Sequence, residues 1–535
     1  MFQSPFWRRC RDTLFHYLRV LLPGEAPALD FPFAASDVAQ LRRVAGAPQE
    51  AGLDGQTWDD MLLAEYSARL ARETSIFGQQ VLHRRLHEGA ADEAAAARVR
   101  ALLRDEAGLL RLHEAMGCLR QVDSEISAPL FGPAEAAAPW WTARLWLFPL
   151  AVLLTLAATL LSPLAWLGVV ASWLALMALQ MRYYDDARAW GRTLHGVQML
   201  LRAHVLLAAQ DGPHTAALRE GARRAGRINR QLTPAQWPKM VPLYKEYSEW
   251  VLLHNIQHYF DSRVAARREI EHLRASFLLV AELEADVALA RHLLATPRFC
   301  WATRCAPGAL ALEQFVHPLL EEAAPLSVEL EGKGAFISGQ NGIGKSTLLR
   351  GVGLNLIAAR AFGFCYAARA AAPMLPVHSS MQSEDSLDGG ESLYLAELRR
   401  AKELLALADG PRPAVFIIDE IFRGTNHLES ISAAAAVLHT LAAKGMVIVS
   451  SHNLVLAPLL EDCLAPLCVH APDGDAARLL LRPGVLAAPN GIALLAARGF
   501  GAPIEAKANK VFDWLSAHMA QPRACAHVLG GAAGI

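Results

Sequence analysis

Charged side chains are scarce in this 535-residue sequence. They make up 19% of its residues, against about 25% in typical globular domains, so we expect part of the chain to contact lipid rather than water. The 51 Lys and Arg residues are balanced by 52 Asp and Glu residues, which excludes a chain-wide basic surface for nucleic acid. Any contact with nucleic acid must therefore be local.

The sequence also lacks Cys-x-x-Cys pairs, although it has eight cysteines. This spacing argues against zinc ribbons and against a secreted disulfide scaffold, and predicts a reduced, intracellular chain. The first residues show no uninterrupted apolar run of a signal peptide. Residues 1–48 instead mix aromatic and basic residues. This is typical of an amphipathic helix on a membrane surface, or of a helix docked on its own protein.

No charged residue lies between Arg144 and Arg182, a stretch of 37 residues. As one helix it would be about 55 Å long, against about 30 Å of bilayer hydrocarbon, and Pro163 interrupts it near its middle. We therefore predict a transmembrane hairpin over residues 140–184; a hairpin buried in a soluble core is the alternative. The arginines at its feet place both ends in the cytoplasm, at the inner (cytoplasmic) membrane.

The regions on either side of the hairpin, 49–139 and 185–305, show apolar residues at helical spacing and predict all-α structure. The second is rich in arginine, including Arg223, Arg227 and Arg230. These side chains could contact phosphates, or they could form a solvated helix face beside a membrane.

From residue 306 to 480 the pattern changes to short β-like runs that alternate with helices. The runs at 334–338, 414–418 and 446–450 are apolar and rich in β-branched or aromatic residues, which predicts a parallel α/β sheet. Residues 481–535 close the chain with a predicted helical segment.

A phosphate-binding loop follows the first of these runs. The segment GQNGIGKS at 339–346 fits the pattern G-x-x-x-x-G-K-[ST] between a strand and a helix. Such a loop directs backbone N–H groups and a helix N-terminus at phosphates. We expect ATP to bind here, with Mg²⁺ on Ser346. The predicted nucleotide-binding residues are Gly339, Asn341, Gly342, Gly344, Lys345, Ser346 and Thr347.

Two carboxylates follow the second apolar run. Asp419 and Glu420 should lie at the carboxyl edge of the sheet, where α/β proteins bind ligands. We predict that Asp419 binds Mg²⁺ and that Glu420 orients or deprotonates the attacking water. His452 follows the third run and is a candidate sensor of the γ-phosphate. A surface acidic pair and a structural histidine are the alternatives.

The segment DGGES at 388–392 precedes a predicted helix. A serine after two glycines at a helix start forms a second anion-binding end, which one subunit does not need for its own nucleotide. We therefore predict a homodimer with composite sites, in which Ser392 contacts the γ-phosphate bound by the partner subunit. An ordinary N-cap serine is the alternative.

Together these segments resemble the MutS family of DNA mismatch-repair ATPases. The resemblance rests on GQNGIGKSTL at 339–348, DGGES at 388–392 and IDEIFRGTN at 418–426. It implies an ABC-like P-loop ATPase domain preceded by an all-α lever and core domain, which the predicted transmembrane hairpin interrupts here. It also implies a dimer whose interface loop contains Arg423, Gly424, Thr425 and Asn426.

This chain departs from the family at two points. No Phe is followed two places later by Glu, which is the motif of the family's mismatch reader, and the predicted hairpin replaces the DNA-embracing clamp. The sequence therefore resembles membrane-anchored MutS-related proteins of bacteria. One hypothesis is a membrane-tethered ATPase that binds duplex or branched DNA, with a MutL-like partner left open. The other is an ABC-type ATPase that couples dimer closure to a protein partner or membrane helices without DNA.

Overall fold

The structure is a computed structural model that describes residues 33–45, 52–89, 92–133, 138–233, 251–381, 393–422, 426–472, 479–487 and 502–518. Its residues divide by packing into two compact units. Unit 1 comprises residues 1–45, 73–81 and 105–288, and unit 2 comprises residues 46–72, 82–104 and 289–535. The finer division into six segments expected from the sequence stays a prediction.

Helices dominate the chain before residue 300. In chain order they are α1 (Ala35–Val38), α2 (Gln40–Ala45), α3 (Gly55–Asp60), α4 (Leu63–Leu70), α5 (Ile76–Glu88), α6 (Glu93–Arg104), α7 (Glu106–Ala115), α8 (Ser127–Phe131), α9 (Leu147–Ala158), α10 (Ala165–Ala208), α11 (Ala216–Leu232), α12 (His254–Arg268) and α13 (Ile270–Leu294). Short 3₁₀ helices occur at Gly117–Gln121, Trp140–Arg144 and Pro213–Thr215.

Strands and helices alternate from residue 300 onward. The strands are β1 (Cys300–Trp301), β2 (Thr303–Arg304), β3 (Ala309–Phe315), β4 (Leu326–Glu331), β5 (Gly334–Gly339), β6 (Phe364–Cys365), β7 (Arg369–Ala372), β8 (Val377–Ser380), β9 (Val415–Asp419), β10 (Met446–Ser450), β11 (Leu464–His470) and β12 (Leu480–Pro483). The helices are α14 (Lys345–Phe362), α15 (Leu393–Ala408), α16 (His427–Ala442), α17 (Leu456–Leu459) and α18 (Ala502–His518). The mixed helical and α/β fold class is therefore confirmed.

Unit 2 is built on a six-stranded sheet with the order β12-β11-β5-β10-β9-β8. The five strands from β11 to β8 run parallel, and β12 is antiparallel to β11. Every residue of β5, β9 and β10 is buried, because a parallel sheet is covered on both faces. A four-stranded sheet with the order β2-β7-β3-β4 and the β1-β6 pair complete the strands of the described residues.

Unit 1 has an aromatic core, in which Phe77 and Phe131 pack edge-on against Phe277 with ring centroids 5.6 and 5.5 Å away. Beside this core, the buried carboxylate of Glu284 accepts hydrogen bonds at the start of α5. Its donors are the N–H of Ser75 (3.0 Å), the Ser75 hydroxyl (2.5 Å) and the N–H of Gly78 (3.0 Å). The carboxylate thus satisfies N–H groups that have no partner within the helix.

The predicted hairpin is only partly as expected. Two helices meet at a turn, and the hydroxyls of Thr155 and Ser172 lie 3.2 Å apart. However, α9 has 12 residues, about 18 Å, and is too short to cross about 30 Å of hydrocarbon. Within the described ranges, α10 alone is long and apolar enough for a membrane span, by length and composition. The expectation of two spanning helices is therefore not supported, because a 3₁₀ segment and the turn shorten the first arm.

The buried Glu284 carboxylate yields a stability prediction. Glu284→Gln removes one acceptor oxygen and its charge, so the free energy of unfolding should fall by about 2 kcal/mol. This corresponds to a melting temperature lower by about 4–8 °C, measurable by thermal denaturation of the full chain. Glu114→Gln, at an exposed position of α7, is the control and should leave it unchanged. An unchanged melting temperature of Glu284→Gln would contradict the capping role.

Candidate nucleotide site

The phosphate loop connects β5 to α14. Its backbone turns sharply at Gly342 and Gly344, whose φ angles of 76° and 96° are in the left-handed region that glycine adopts without steric cost. Gly344 is also the N-cap of α14. Because glycine has no side chain to cap the helix, the first N–H groups of α14 are available to an anion.

Lys345 is the first residue of α14 and is only 7% exposed. Its Nζ donates to the carbonyl oxygens of Gly339 (3.1 Å) and Gln340 (3.2 Å). Burial lowers the pKa of Lys345, while the carboxylates of Glu420 and Asp419 act in the opposite direction. The ammonium group is thus positioned over the loop by neutral carbonyls, which phosphate oxygens can replace.

The other predicted loop residues are more accessible. Ser346 is half-buried, whereas Thr347, Asn341 and Gly342 are exposed. The Ser346 hydroxyl at the helix start remains our candidate ligand for a cation bound with the phosphates.

Asp419 ends β9 and is 3% exposed. Its carboxylate accepts a hydrogen bond from the hydroxyl of Ser450, which is its register partner on the neighbouring strand β10. No sequence motif predicts a role for Ser450. Its only signal in the sequence is that it is a polar residue at the end of an apolar run.

Glu420 and His452 are brought together by the structure. The Nε2 of His452 lies 2.8 Å from Oε1 of Glu420. The Glu420 N–H donates to the carbonyl of Ser450 over 3.0 Å. Glu420 has a φ of 56°, a strained conformation for a non-glycine residue that is typical of functional sites. The predicted base and the predicted sensor are therefore direct neighbours.

These donors fit Mg²⁺, which in nucleotide sites typically binds one or two protein oxygens, phosphate oxygens and waters. Asp419 supplies a buried carboxylate at the sheet edge, and Ser346 supplies a hydroxyl at the helix start. Across the described ranges, no group of three or more His, Cys, Asp and Glu side chains forms that could hold a metal ion by itself.

The predicted contacts to the partner subunit are mostly beyond the described ranges. Ser392 lies outside the described residues, as do Arg423, Gly424 and Thr425. Asn426 is described, and its side chain caps α16 by accepting the N–H of Leu428 at 3.0 Å. That Asn426 lies in a dimer interface remains a prediction.

A polar network that the sequence analysis missed links the segment 54–60 to the sheet and to α15. Asp54 accepts hydrogen bonds from Thr57 and lies 2.9 Å from Nδ1 of His378 and 3.0 Å from Nη2 of Arg400. Arg400 also donates to the carbonyl of Ser379. Because α15 begins one residue after Ser392, Arg400 positions the helix that follows the predicted γ-phosphate contact.

Asp60 extends the same network. Its carboxylate accepts from the hydroxyl of Ser379 (2.8 Å) and the N–H of Met381 (2.9 Å), and its carbonyl accepts from Arg350 of the phosphate-loop helix (2.9 Å). Burial raises the pKa of Asp60, against these hydrogen bonds. About 320 residues separate the partners, so no local sequence pattern could have indicated this network.

Comparison with known proteins places the site in a recognised domain. Residues 335–474 match the family model described as MutS domain V, a segment that contains the phosphate loop, the acidic pair and His452. The DNA mismatch repair protein MutS of Thermus thermophilus is 30% identical over 187 residues. That of Thermus aquaticus is 29% identical over 191 residues, and that of Natronomonas pharaonis is 26% identical over 275 residues.

The similarity covers a limited part of each protein. The Thermus alignments include 34% of this chain and 22% of each relative, and the Natronomonas alignment includes 49% of this chain and 32% of the relative. The chain thus spans about a fifth to a third of the curated relatives it matches. The resemblance predicted from the sequence is confirmed for the domain that contains the site.

The Asp54 network makes stability pH-dependent. Burial favours a raised pKa for Asp54, but the hydrogen bond with His378 and the charge of Arg400 outweigh it and hold the pKa well below its usual range. A depressed pKa stabilises the fold above the unfolded value near 4, and this contribution is lost as pH falls toward the folded value.

We therefore expect Asp54→Asn to lower the free energy of unfolding by about 2 kcal/mol at pH 7, and this deficit to shrink below about pH 4. Melting curves of the full chain from pH 7 to pH 3 measure it. Glu403→Gln, which removes the more exposed carboxylate on Arg400, is the control and should have little effect. A deficit that stays constant with pH would rule out the ionised pair.

Proposed function

Because residues 335–474 match the family model described as MutS domain V, we propose that this protein is a MutS-type ATP hydrolase. One observation carries the proposal: parallel strands bring the phosphate loop, the buried Asp419 and the Glu420–His452 pair to the same edge of the sheet. In this arrangement Lys345 supplies a cation for the phosphates, Asp419 a carboxylate for a metal ion, and Glu420 a carboxylate for the attacking water.

The proposed chemistry is attack of water on the γ-phosphorus of ATP, with cleavage of the bond to the ADP oxygen. Lys345 binds β- and γ-phosphate oxygens, and Ser346 and Asp419 would hold Mg²⁺, which would neutralise phosphate charge. Glu420 orients the water and accepts its proton. His452 is hydrogen-bonded to Glu420 and connects this carboxylate to the place where the γ-phosphate binds.

We further propose a homodimer with composite ATP sites. The support is the position of Ser392 directly before α15 and the resemblance of Arg423–Asn426 to the family's interface loop. In such a dimer each Ser392 contacts the partner's nucleotide, so ATP closes the interface and hydrolysis releases it. Arg400 then acts as a positioning residue for the Ser392 segment, through its contacts with Asp54 and Ser379.

The apolar hairpin supports a membrane tether. At its turn, Leu160 and Leu161 are 88% and 91% exposed, and Leu167 on α10 is 71% exposed. Only 11% of the most apolar window of α10 is buried. Contiguous exposed apolar surface of this kind is typical of membrane or protein contacts. We propose that α10 and the turn insert into the inner membrane, with the ATPase domain in the cytoplasm.

A DNA ligand is proposed from the curated relatives, each of which is named a DNA mismatch repair protein, and from the exposed Arg223, Arg227 and Arg230 on α11. We propose duplex or branched DNA and assign no mismatch specificity. A MutL-like partner of the ATP-bound dimer is a further expectation from the family.

The exposed hairpin favours a second candidate function, an ATPase that acts on membrane helices or a protein partner without DNA.

The ATPase assignment predicts two separable defects. Lys345→Ala should weaken ATP binding by about 10-fold or more, because a charge-assisted phosphate contact is lost. Glu420→Gln should retain ATP binding but slow hydrolysis by about 10²–10⁴-fold, and so accumulate the closed dimer. Nucleotide titration measures ATP binding, phosphate release measures the rate of hydrolysis, and light scattering measures the closed dimer. Lys333→Ala, at an exposed position in the turn between β4 and β5, is the control, and full turnover in Lys345→Ala would disprove the loop assignment.

The DNA assignment predicts a steep salt dependence. The logarithm of the binding constant should fall with the logarithm of salt concentration with a slope of about −0.9 per phosphate contacted. Changing Arg223, Arg227 and Arg230 to Gln should reduce that slope by about 2–3, whereas Lys507→Gln/Lys510→Gln on α18 should not. Titrations use the full chain in detergent with duplex, mismatched and branched DNA. No binding at about 50 mM salt would favour the candidate that acts without DNA.

A further inference from the structure

Strand β9 ends in a turn whose backbone is strained at two residues. Glu420 and Phe422 have φ angles of 56° and 57°, in the left-handed region that bulky residues rarely adopt. Such a conformation persists only where the surrounding structure holds it. Because Glu420 is the proposed catalytic base, the orientation of its carboxylate depends on the contacts that hold residues 420–422.

Neighbouring elements hold the backbone of this turn at both ends. The N–H of Glu420 donates to the carbonyl of Ser450 on β10 over 3.0 Å. The carbonyl of Phe422 accepts a hydrogen bond from the hydroxyl of Ser430, a buried residue of α16. These bonds restrain where the turn starts and ends. The backbone angles between them then depend on how the side chains of the turn pack.

The side chain of Phe422 packs against α15. It is 1% exposed, and its ring meets the ring of Tyr394 at 65°, with the centroids 6.1 Å apart. This edge-on geometry is favourable for aromatic pairs. Tyr394 is the second residue of α15 and is half-buried against the core that contains Phe422. The start of α15 thus contacts the strained turn through this aromatic pair.

The same helix start lies next to Ser392 in the chain. Tyr394 follows Ser392 by two positions, which is at most about 7 Å of chain. In the proposed dimer Ser392 contacts the γ-phosphate bound by the partner subunit, so ATP in the partner's site restrains the start of α15. Tyr394 then restrains the ring of Phe422. The nucleotide of one subunit therefore affects the orientation of Glu420 in the other.

We propose that Tyr394 and Phe422 are positioning residues, which keep Glu420 in its strained conformation when ATP in the partner's site holds the start of α15. The proposal rests on the ATPase and the composite dimer proposed above. Without the ring contact the turn relaxes toward unstrained angles, and Glu420 loses its place 2.8 Å from Nε2 of His452. ATP binding is retained, because the phosphate loop follows a different strand, β5.

The test measures ATP hydrolysis and ATP binding by the full chain in detergent. Tyr394→Ala should lower kcat by about 10–100-fold, because a displaced base loses the geometry for attack, while ATP affinity stays within about 2-fold. Tyr394→Phe keeps the ring and should retain the wild-type rate. Phe422→Leu keeps a buried apolar side chain without the ring, and should show the same defect as Tyr394→Ala. Leu405→Ala, which removes another apolar contact of α15 with the same core, is the control and should leave kcat unchanged.

Cooperativity separates positioning from a structural role. Because hydrolysis by the wild type needs ATP in both sites, its rate should rise with ATP concentration with a Hill coefficient between about 1 and about 2, and that of Tyr394→Ala should be about 1. A loss of packing alone would lower the rate without changing this coefficient. Wild-type kcat in Tyr394→Ala, an equal loss of kcat in Leu405→Ala, or an unchanged Hill coefficient in Tyr394→Ala would overturn the proposal.

The proposed function fails on different observations. Full turnover in Glu420→Gln would refute the catalytic base, and a monomer at saturating ATP would refute the composite dimer. Slow hydrolysis by an ATP-bound dimer of Glu420→Gln, together with unimpaired hydrolysis by Tyr394→Ala, would refute the positioning pair alone.

Discussion

The candidate site depends on the parallel pairing of β5, β10 and β9. These strands are buried along their whole length, and their register places Ser450 opposite Asp419. Because they run in the same direction, the phosphate loop, the acidic pair and His452 all follow carboxyl ends at one sheet edge. The strained backbone at Glu420 is held there by its N–H bond to Ser450, so sheet pairing also determines the orientation of the proposed catalytic base.

Around this edge, polar contacts extend to a distant part of the sequence. Asp54 and Asp60 contact β8, α14 and α15 through Ser379, Arg350 and Arg400. A segment upstream of the proposed membrane region thus supports both the phosphate-loop helix and the helix after Ser392. A buried carboxylate that loses its partner lowers the free energy of unfolding. A displacement of β8, α14 or α15 therefore affects the other two elements. This gives a physical route by which the segment at residues 54–60 can influence the nucleotide site.

The sequence by itself determined the phosphate loop, the acidic pair and the alternation of strands and helices, because each depends on residues adjacent in the chain. It indicated the apolar stretch but not its shape, since the end of α9 depends on local turn geometry rather than on composition. Only the tertiary structure decided that Ser450 binds Asp419, that Glu284 caps α5 and that Asp54 meets Arg400. Those contacts join residues 31 to 346 positions apart, and their formation depends on packing that no periodicity or motif encodes.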